Sequence, residues 1–569
     1  MPESSYLRYL PPVLWKDAPQ DPGFSLGSAL CVFEKILTGI DDDARVVHTS
    51  HTQAGDDSHT HRSIAERIAL LDRLFDPWTT PPEFLPWLAS WVSLRFPELQ
   101  GRQLWDEYQR RKATAAISGV HRRRGLRSGL TTFLDLYSVG KVRPRVAVDD
   151  GSSLFVAHVA AGVPAPVSAL SPFRPLFNES GGGLVASREG LLRPWCLARG
   201  PDGSLFAGDR GLPADLAPGV RRRVWRLDAT TGQPDLTGGQ PLPRPLAPKQ
   251  TFGQIIAVAV APARDGRPET LFVLDGTGRI FALPTPYTAE TATELTRFSP
   301  GSGFRLAMVV DGRGDLLVLD RGLQPEEVAR PKVFVIRPAP LSVTVKDLDP
   351  AFVKEPLSLF VDHDGSLVVG DGGDREAPPL EDSGGGNLVR IVRGETVDGE
   401  WTHTRLLPPQ NPLVAPTAVA RTDADGLYVL DAGLRPFWPE VTEDPFIRHT
   451  ARPAVVVRVE TAPGATGGTL RVTEPGHFVN PTGMTAHGRQ LIICDPGQIE
   501  SPGVGLDGYL SRFGSFDINV VIHFSRSQLS ADPMEQRREL SQAVGTIKSI
   551  VREHMPAHCR FSEVTMTDL

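Results

Sequence analysis

Polar and apolar positions along this chain change their period twice. Over the first 140 residues they fall on helical spacing. Leu26, Leu30, Phe33, Leu37 and Ile40 recur every three or four residues, one face of an α-helix. Ile64, Ile68, Leu71 and Phe75 repeat the pattern behind Ser63 and Glu66, a capping box that satisfies the free N–H groups of a first turn. Thr79-Thr80-Pro81-Pro82 stops that run and opens a third, with Phe84, Leu88 and Trp91 on one side, proline being suited to a first helical turn. Leu126, Leu130, Phe133 and Tyr137 mark a fourth. Short amphipathic helices packed on one another are predicted over residues 1–145.

Between 190 and 500 the pattern becomes a repeat. Six segments share an apolar run, a polar Gly-containing turn, a second apolar run and then Asp. The aspartates are Asp209, Asp275, Asp320, Asp371, Asp431 and Asp495, spaced 66, 45, 51, 60 and 64 residues apart. The pairs Asp202-Gly203, Asp311-Gly312, Asp364-Gly365 and Asp425-Gly426 supply the positive backbone angles that tight hairpins need. Most copies run on into a further β-rich stretch, such as KVFVIRP from Lys332. A meander of this size cannot bury both its faces alone. Radial stacking buries the faces and protects the edges, which predicts a six-bladed β-propeller over 188–505. Residues 146–187 read as a connector, with Gly181-Gly182-Gly183 as a linker and Leu184–Ser187 expected to complete the last blade.

After residue 510 the period changes again. Phe516–Ser525 alternates like a strand, Leu540, Val544, Ile547 and Val551 form a helix face, and Arg560–Thr565 reads as a second strand. A β-α-β unit of about 55 residues is too small to stand alone and is expected to pack with the N-terminal domain. The fold class is thus multidomain α+β: a helical domain (1–145), an inserted propeller, and a C-terminal β-α-β part (510–569).

Composition agrees with that layout. Gly 55 and Pro 52 in 569 residues are in excess, as a turn-rich body requires. A net charge of −7 gives no general attraction to nucleic acid or anionic lipid. No apolar stretch approaches the ~18 residues of a membrane span, and no secretory leader is visible, so cytoplasmic synthesis is expected. The four cysteines, Cys31, Cys196, Cys494 and Cys559, form no C-x-x-C pair and imply neither a disulfide framework nor a cysteine zinc site.

Three groups of residues invite a chemical reading. His48, His51, His59 and His61 beside Asp56 and Asp57 have the donor types of a zinc or nickel site, but a polar loop between helices is the preferred reading. Arg110, Arg111, Lys112, Arg122, Arg123, Arg124 and Arg127 concentrate positive charge without the stacking aromatics of a nucleic-acid site, so they read, with Tyr137, as a candidate assembly interface. The six repeated aspartates could be offered as calcium ligands. A catalytic constellation, however, draws different residues from different blades, whereas one residue recurring at one place suits a turn carboxylate accepting backbone N–H groups. No G-x-S-x-G, H-E-x-x-H or phosphate-binding loop is present, and the Gly384-Gly385-Gly386 run reads as a loop. No catalytic residue, metal ligand or cofactor is expected.

The runs Tyr6–Leu14, Phe33–Asp42, Leu74–Leu94 and Arg122–Ser138, with Met555-Pro556-Ala557-His558-Cys559 near the end, resemble the tail protein I-type family of phages and phage tail-like particles. The repeat between them is similar to NHL-type propellers. The resemblance implies a baseplate wedge component of a contractile injection system, present in several copies and joined to other wedge subunits, spike or hub, and sheath and tube proteins. The propeller, which the family usually lacks, would be an outward binding platform. The alternative is a calcium-dependent, lactonase-like propeller hydrolase or a carbohydrate-binding protein.

Overall fold

A computed structural model describes residues 4–11, 26–38, 68, 71–96, 98–99, 102–103, 105–137, 145–149, 153–161, 163–170, 191, 193–211, 222–234, 244–298, 305–322, 330–374, 384–394, 399–423, 426–433, 452–460, 467–497, 517–524, 530, 532–555 and 559–568. These fall into two compact units, 1–119 and 120–569.

The first unit is helical. Helix α1 (Leu26–Thr38) covers the first predicted run. Its buried polar residue, Glu34, accepts from the Ser4 hydroxyl at 2.5 Å, while Val32, Phe33 and Ile36 stay exposed. Of the second predicted helix only the 3-10 turn Leu71–Leu74 is described; its capping box lies outside the described residues. Pro82–Phe84 forms a 3-10 turn that leads into α2 (Leu85–Trp91), burying Leu85, Leu88 and Ala89. A two-residue ladder joins β1 (Glu98–Leu99) to β2 (Arg102–Gln103). Helix α3 (Glu107–Arg122) follows and was not foreseen from apolar spacing.

The second unit holds α4 (Arg127–Tyr137) and the six-bladed propeller. Blade 1 is β6 (Pro194–Arg199), β7 (Leu205–Asp209) and β8 (Arg223–Leu227). Blade 2 is β9 (Ile255–Ala261), β10 (Thr270–Asp275), β11 (Arg279–Pro284) and β12 (Thr293–Arg297). Blade 3 is β13 (Arg305–Val310), β14 (Leu316–Asp320), β15 (Lys332–Pro338) and β16 (Leu341–Asp347). Blade 4 is β17 (Pro356–Val361), β18 (Leu367–Asp371), β19 (Asn387–Val392) and β20 (Thr402–Arg405). Blade 5 is β21 (Pro416–Arg421), β22 (Leu427–Asp431), β23 (Val455–Glu460) and β24 (Gly468–Arg471). Every blade is antiparallel.

The sixth blade corrects the sequence-based boundary. Its inner strands, β25 (Gly483–His487) and β26 (Gln490–Cys494), are completed by β4 (Leu154–His158) and β5 (Val167–Ala169), both from the stretch read as a connector. The ring is therefore closed by strands from before and after it. The residues expected to do this, Leu184–Ser187, lie outside the described residues, as does the Gly181–Gly183 linker.

The second strand of each blade is sandwiched between neighbours on both faces, which is why LLVLD or LYVLD reads as an unbroken apolar run. Among the described residues the propeller core accordingly includes a wedge between each pair of neighbouring blades. Phe206, Val224 and Phe281 lie between blades 1 and 2, and Phe272, Met308 and Ile336 between 2 and 3. Leu317, Leu359 and Val389 lie between 3 and 4, and Val368, Val429 and Val457 between 4 and 5. Tyr428, Phe155 and Ile493 fill the fifth wedge, and Trp225, Leu154 and Ile492 the sixth.

Beyond the ring, β27 (Asp517–Phe524) pairs in parallel with β28 (Arg560–Asp568) and antiparallel with β3 (Arg145–Asp149). Helix α5 (Pro533–His554) runs between β27 and β28, capped by Asp532, and buries Ile547, Ile550 and Val551.

Candidate functional site

Each blade aspartate ends its second strand or, for Asp495, directly follows it, and at least one of its carboxylate oxygens accepts from backbone N–H groups. Asp209 accepts from Arg193 N at 2.8 Å and Gly211 N at 2.9 Å. Asp371 accepts from Lys354 N at 3.0 Å and Glu355 N at 2.6 Å. Asp431 takes Val414 N, Ala415 N and Gly433 N at 3.0, 2.8 and 2.9 Å. Asp495 takes Val479 N, Asn480 N and Gly497 N at 2.6, 3.0 and 2.8 Å. Asp320 accepts from Gly322 N at 2.7 Å. Asp275 ties Gly253 N at 2.8 Å and adds the Arg279 guanidinium at 2.7 Å.

One carboxylate thus pins the chain entering the first strand to the turn after the second. Burial opposes ionisation at Asp275, but hydrogen bonds from Thr277, Gly253 and Arg279 outweigh it and hold the carboxyl below its usual range. At Asp371 burial wins and, with the Glu355 charge, raises the carboxyl to about 6.

The opposite face carries a second set of ties that the repeat pattern did not reveal. Arg421 of blade 5 grips Asp362 of blade 4 through Nε and Nη2, both at 2.7 Å, a fork fitted to a carboxylate. Arg393 of blade 4 reaches Asp311 of blade 3 at 2.7 Å, and Arg264 of blade 2 donates to the Gly312 carbonyl. Asp423 N donates to Gly488 O at 3.3 Å, and Arg199 to Ala486 O at 3.2 Å, linking blade 6 to blades 5 and 1. These donors sit beside the hairpin turns, so only the blade order, known from the fold, pairs them.

The basic cluster is divided between two duties. Arg111 is held by Glu107 at 2.7 Å and by the Pro77 carbonyl at 2.8 Å, and Arg110 turns back to the Asp106 carbonyl at 3.4 Å. Arg123 approaches Glu474 at 3.6 Å, and the Arg127 guanidinium lies 5.3 Å from the Phe155 ring centre, so both face blade 6. Arg122 and Arg124 are exposed at the end of α3. Tyr137 occupies the last position of α4. Four of the seven basic residues, Arg110, Arg111, Arg123 and Arg127, thus make contacts within the chain.

Exposed aromatics in the first unit were not read as a surface. Phe75, Trp87 and Trp91 are each at least 40% exposed and meet at ring distances of 4.8 to 6.0 Å. Among the described residues no group of three or more His, Cys, Asp or Glu is placed to hold a metal ion, and no helix is long and apolar enough to cross a membrane. His48, His51, His59 and His61, with Asp56 and Asp57, lie outside the described residues.

No curated protein matches the chain. Solved structures similar to it include streptogramin B lyase, at 13% identity over 52% of this chain and 75% of that one, TM-score 0.31. A gluconolactonase from Xanthomonas campestris gives 13% over 57% and 92%, TM-score 0.34. The PQQ-bound aldose sugar dehydrogenase of Streptomyces coelicolor gives 13% over 56% and 93%, also 0.34. Values this low carry no argument about activity. The family comparison is more specific: it covers part of the first helical unit and continues through α4, and it does not extend to the runs Tyr6–Leu14 and Phe33–Asp42 or to the C-terminal tail. Residues 53–146 match the phage tail protein (Tail_P2_I) family, and the chain joins that segment to a six-bladed β-propeller.

Proposed function

We propose that this chain is a structural, non-enzymatic baseplate wedge component of a contractile injection system or phage tail-like particle. The observation that carries the reading is the match of residues 53–146 to the phage tail protein family. Neighbouring baseplate subunits would bind the exposed Phe75, Trp87 and Trp91 and the end of α3 at Arg122 and Arg124. The chain would be present in several symmetry-related copies, with the propeller carried outward as a binding platform. The absence of enzymatic work is part of the proposal. It is supported by aspartates whose oxygens already accept backbone N–H groups.

The test is affinity purification of the tagged full chain from cells that express its neighbouring genes. Sheath, tube and other baseplate proteins are expected in the eluate, with particles visible by electron microscopy. A chain that elutes alone from cells making particles would overturn the reading. Calcium-dependent lactone hydrolysis by the full chain, abolished by one acidic substitution, would replace it with the hydrolase alternative.

A further inference from the structure

The outer strand of blade 3, β16, is an open edge unlike those of blades 2, 4, 5 and 6. It ends the sheet order β13-β14-β15-β16 and runs seven residues, against five in β12, four in β20 and β24, and three in β5. The shorter strands of blades 2, 4 and 5 finish on Arg297, Arg405 and Arg471, charge being one way in which natural sheets guard a free edge. Strand β16 instead presents Leu341, Val343 and Val345, which are 51%, 46% and 47% exposed. The direction of its backbone follows from the ladder. Leu348 N donates to Pro331 O at 2.7 Å, one step beyond the Lys332–Asp347 pair. Bonded and non-bonded pairs alternate along an antiparallel ladder, so Ser342, Thr344 and Lys346 turn their N–H and C=O groups to β15. Leu341, Val343, Val345 and Asp347 turn theirs outward. Among the described residues no further strand and no hydrogen bond meets that outer row.

We propose that this edge pairs with the β16 edge of a second copy of the chain, antiparallel and in register about Thr344. Turned end for end, the strand LSVTVKD matches itself. Val343 faces Val345 of the second copy, Leu341 faces Asp347, Ser342 faces Lys346, and Thr344 faces its own counterpart. Every outward residue then exchanges both its backbone bonds, and no like charges stand opposite each other. Sliding by two residues either way leaves one outward residue of each strand unpaired. The valines of the two copies close over one another on the face that Ile336 and Phe334, their partners in the ladder, share with the wedge between blades 2 and 3. A strand of another protein would need only an apolar row. The simultaneous match of bonds, charges and apolar row is what selects a second copy. Such a contact is isologous, so it makes one two-fold pair and uses up the edge instead of growing into a fibre. It rests on the propeller alone and not on the baseplate reading.

The experiment is sedimentation velocity on the purified full chain from about 5 to about 200 µM, because a single strand pair falls below the ~1,200 Å² of a standard interface and is expected to bind in the micromolar range. The sedimentation coefficient should rise with concentration toward that of a dimer. Val345→Pro removes an outward N–H from each copy without touching the β15 ladder, and should raise the dissociation constant at least about tenfold. Val343→Lys breaks the apolar row and should do the same. Thr469→Pro makes the equivalent change at an outward position of β24 and should leave the wild-type curve. Register is read by Thr344→Cys, which sets two thiols face to face on the two-fold axis and should give a covalent dimer under copper–phenanthroline. Ser342→Cys, facing Lys346, should not exceed the wild-type background. A chain that stays monomeric to the highest concentration overturns the proposal and hands the edge to a strand of another protein. A dimer unchanged by both Val345→Pro and Val343→Lys overturns it too, as does equal cross-linking of Ser342→Cys and Thr344→Cys. If one edge variant does not fold, the other and the two cysteine variants still decide.

Discussion

Replacing Asp431 by alanine removes the acceptor of three N–H groups in one step. Val414 and Ala415 are fully buried and Asp431 is 3% exposed, so water cannot take over without opening the blade 4–5 boundary. A buried N–H left without an acceptor costs about 1–3 kcal/mol, and bonds to a charged acceptor lie at the upper end. Local relaxation recovers part of the sum, so a loss of about 4 kcal/mol is expected. Asp431→Asn keeps the oxygen that serves Ala415 and Gly433 but turns an amide N–H₂ toward Val414 N–H, for a loss of about 2 kcal/mol. A chain of two units need not unfold in one step. The readout is therefore native-state hydrogen exchange at β21 and β22 in increasing urea, which reports their own opening free energy. A loss below about 1 kcal/mol in the alanine variant would refute the idea that the carboxylate anchors the blade. A chelator that lowers the wild-type stability would refute it equally, by giving the aspartate a metal to hold.

Other predictions follow from the same geometry. Arg421→Ala strands the buried Asp362 carboxylate and should destabilise blades 4 and 5 by about 3 kcal/mol near neutral pH, read by the same exchange experiment. Burial opposes ionisation of Asp362, but Arg421 and His363 hold its carboxyl down to about 2, so the pair's contribution persists above about pH 4 and is lost toward pH 2. The difference between wild type and Arg421→Ala should shrink over that interval. Gly322 has φ +74° and a Cβ there would overlap the Arg330 carbonyl, so Gly322→Ala should cost at least about 2 kcal/mol by thermal unfolding. A fragment beginning at 188 lacks β4 and β5 and uncovers Ile492 and Trp225; it should aggregate or bind a hydrophobic dye, whereas one beginning at 150 should fold. Joining Asp149 to Asp517 by a two-residue turn should leave β3, β27 and β28 paired, because Asp149 already faces Asn519; loss of helical circular dichroism would contradict this.

How much of this was legible in the sequence depends on how loudly each element signals. The repeat was readable because second strands such as LLVLD are buried on both faces and end in an anchor that only a carboxylate fills well. The closing strands were not. LFVAH and VSA carry no terminal Asp, and β4 meets its partner only across the whole ring. Helix α3 carries a weak apolar signal because its buried apolar residues are just Ala113, Ile117 and Val120, joined by the polar Thr114, within a polar sequence. Its start was nevertheless marked. Asp106 Oδ1 accepts from Gln109 N at 2.7 Å, and Gln109 Oε1 from Asp106 N at 3.2 Å, a capping box spelled D-x-x-Q. In α1 the apolar face was found, but the turn at Ser5–Tyr9 approaches from the side of Glu34 and leaves Phe33 outside. Spacing identifies a stripe; it does not say what covers it. The blade-to-blade arginine ties need the fold first, since Arg393 and Asp311 lie 82 residues apart.

Closure of the ring by strands from both its ends also governs the order in which the protein is made. Gln490 lies beside His158 across 332 residues of chain. At about 5–20 residues per second, β4 and β5 leave the ribosome at least some 15 seconds before β26 is there to receive them. Through that interval Leu154, Phe155 and Val156 lack β26 and have only the short strand β5 to pair with in their own blade, and blades 1 to 5 accumulate as an open arc with an uncovered face at each end. Synthesis speed over that window therefore bears on how many chains end as closed rings.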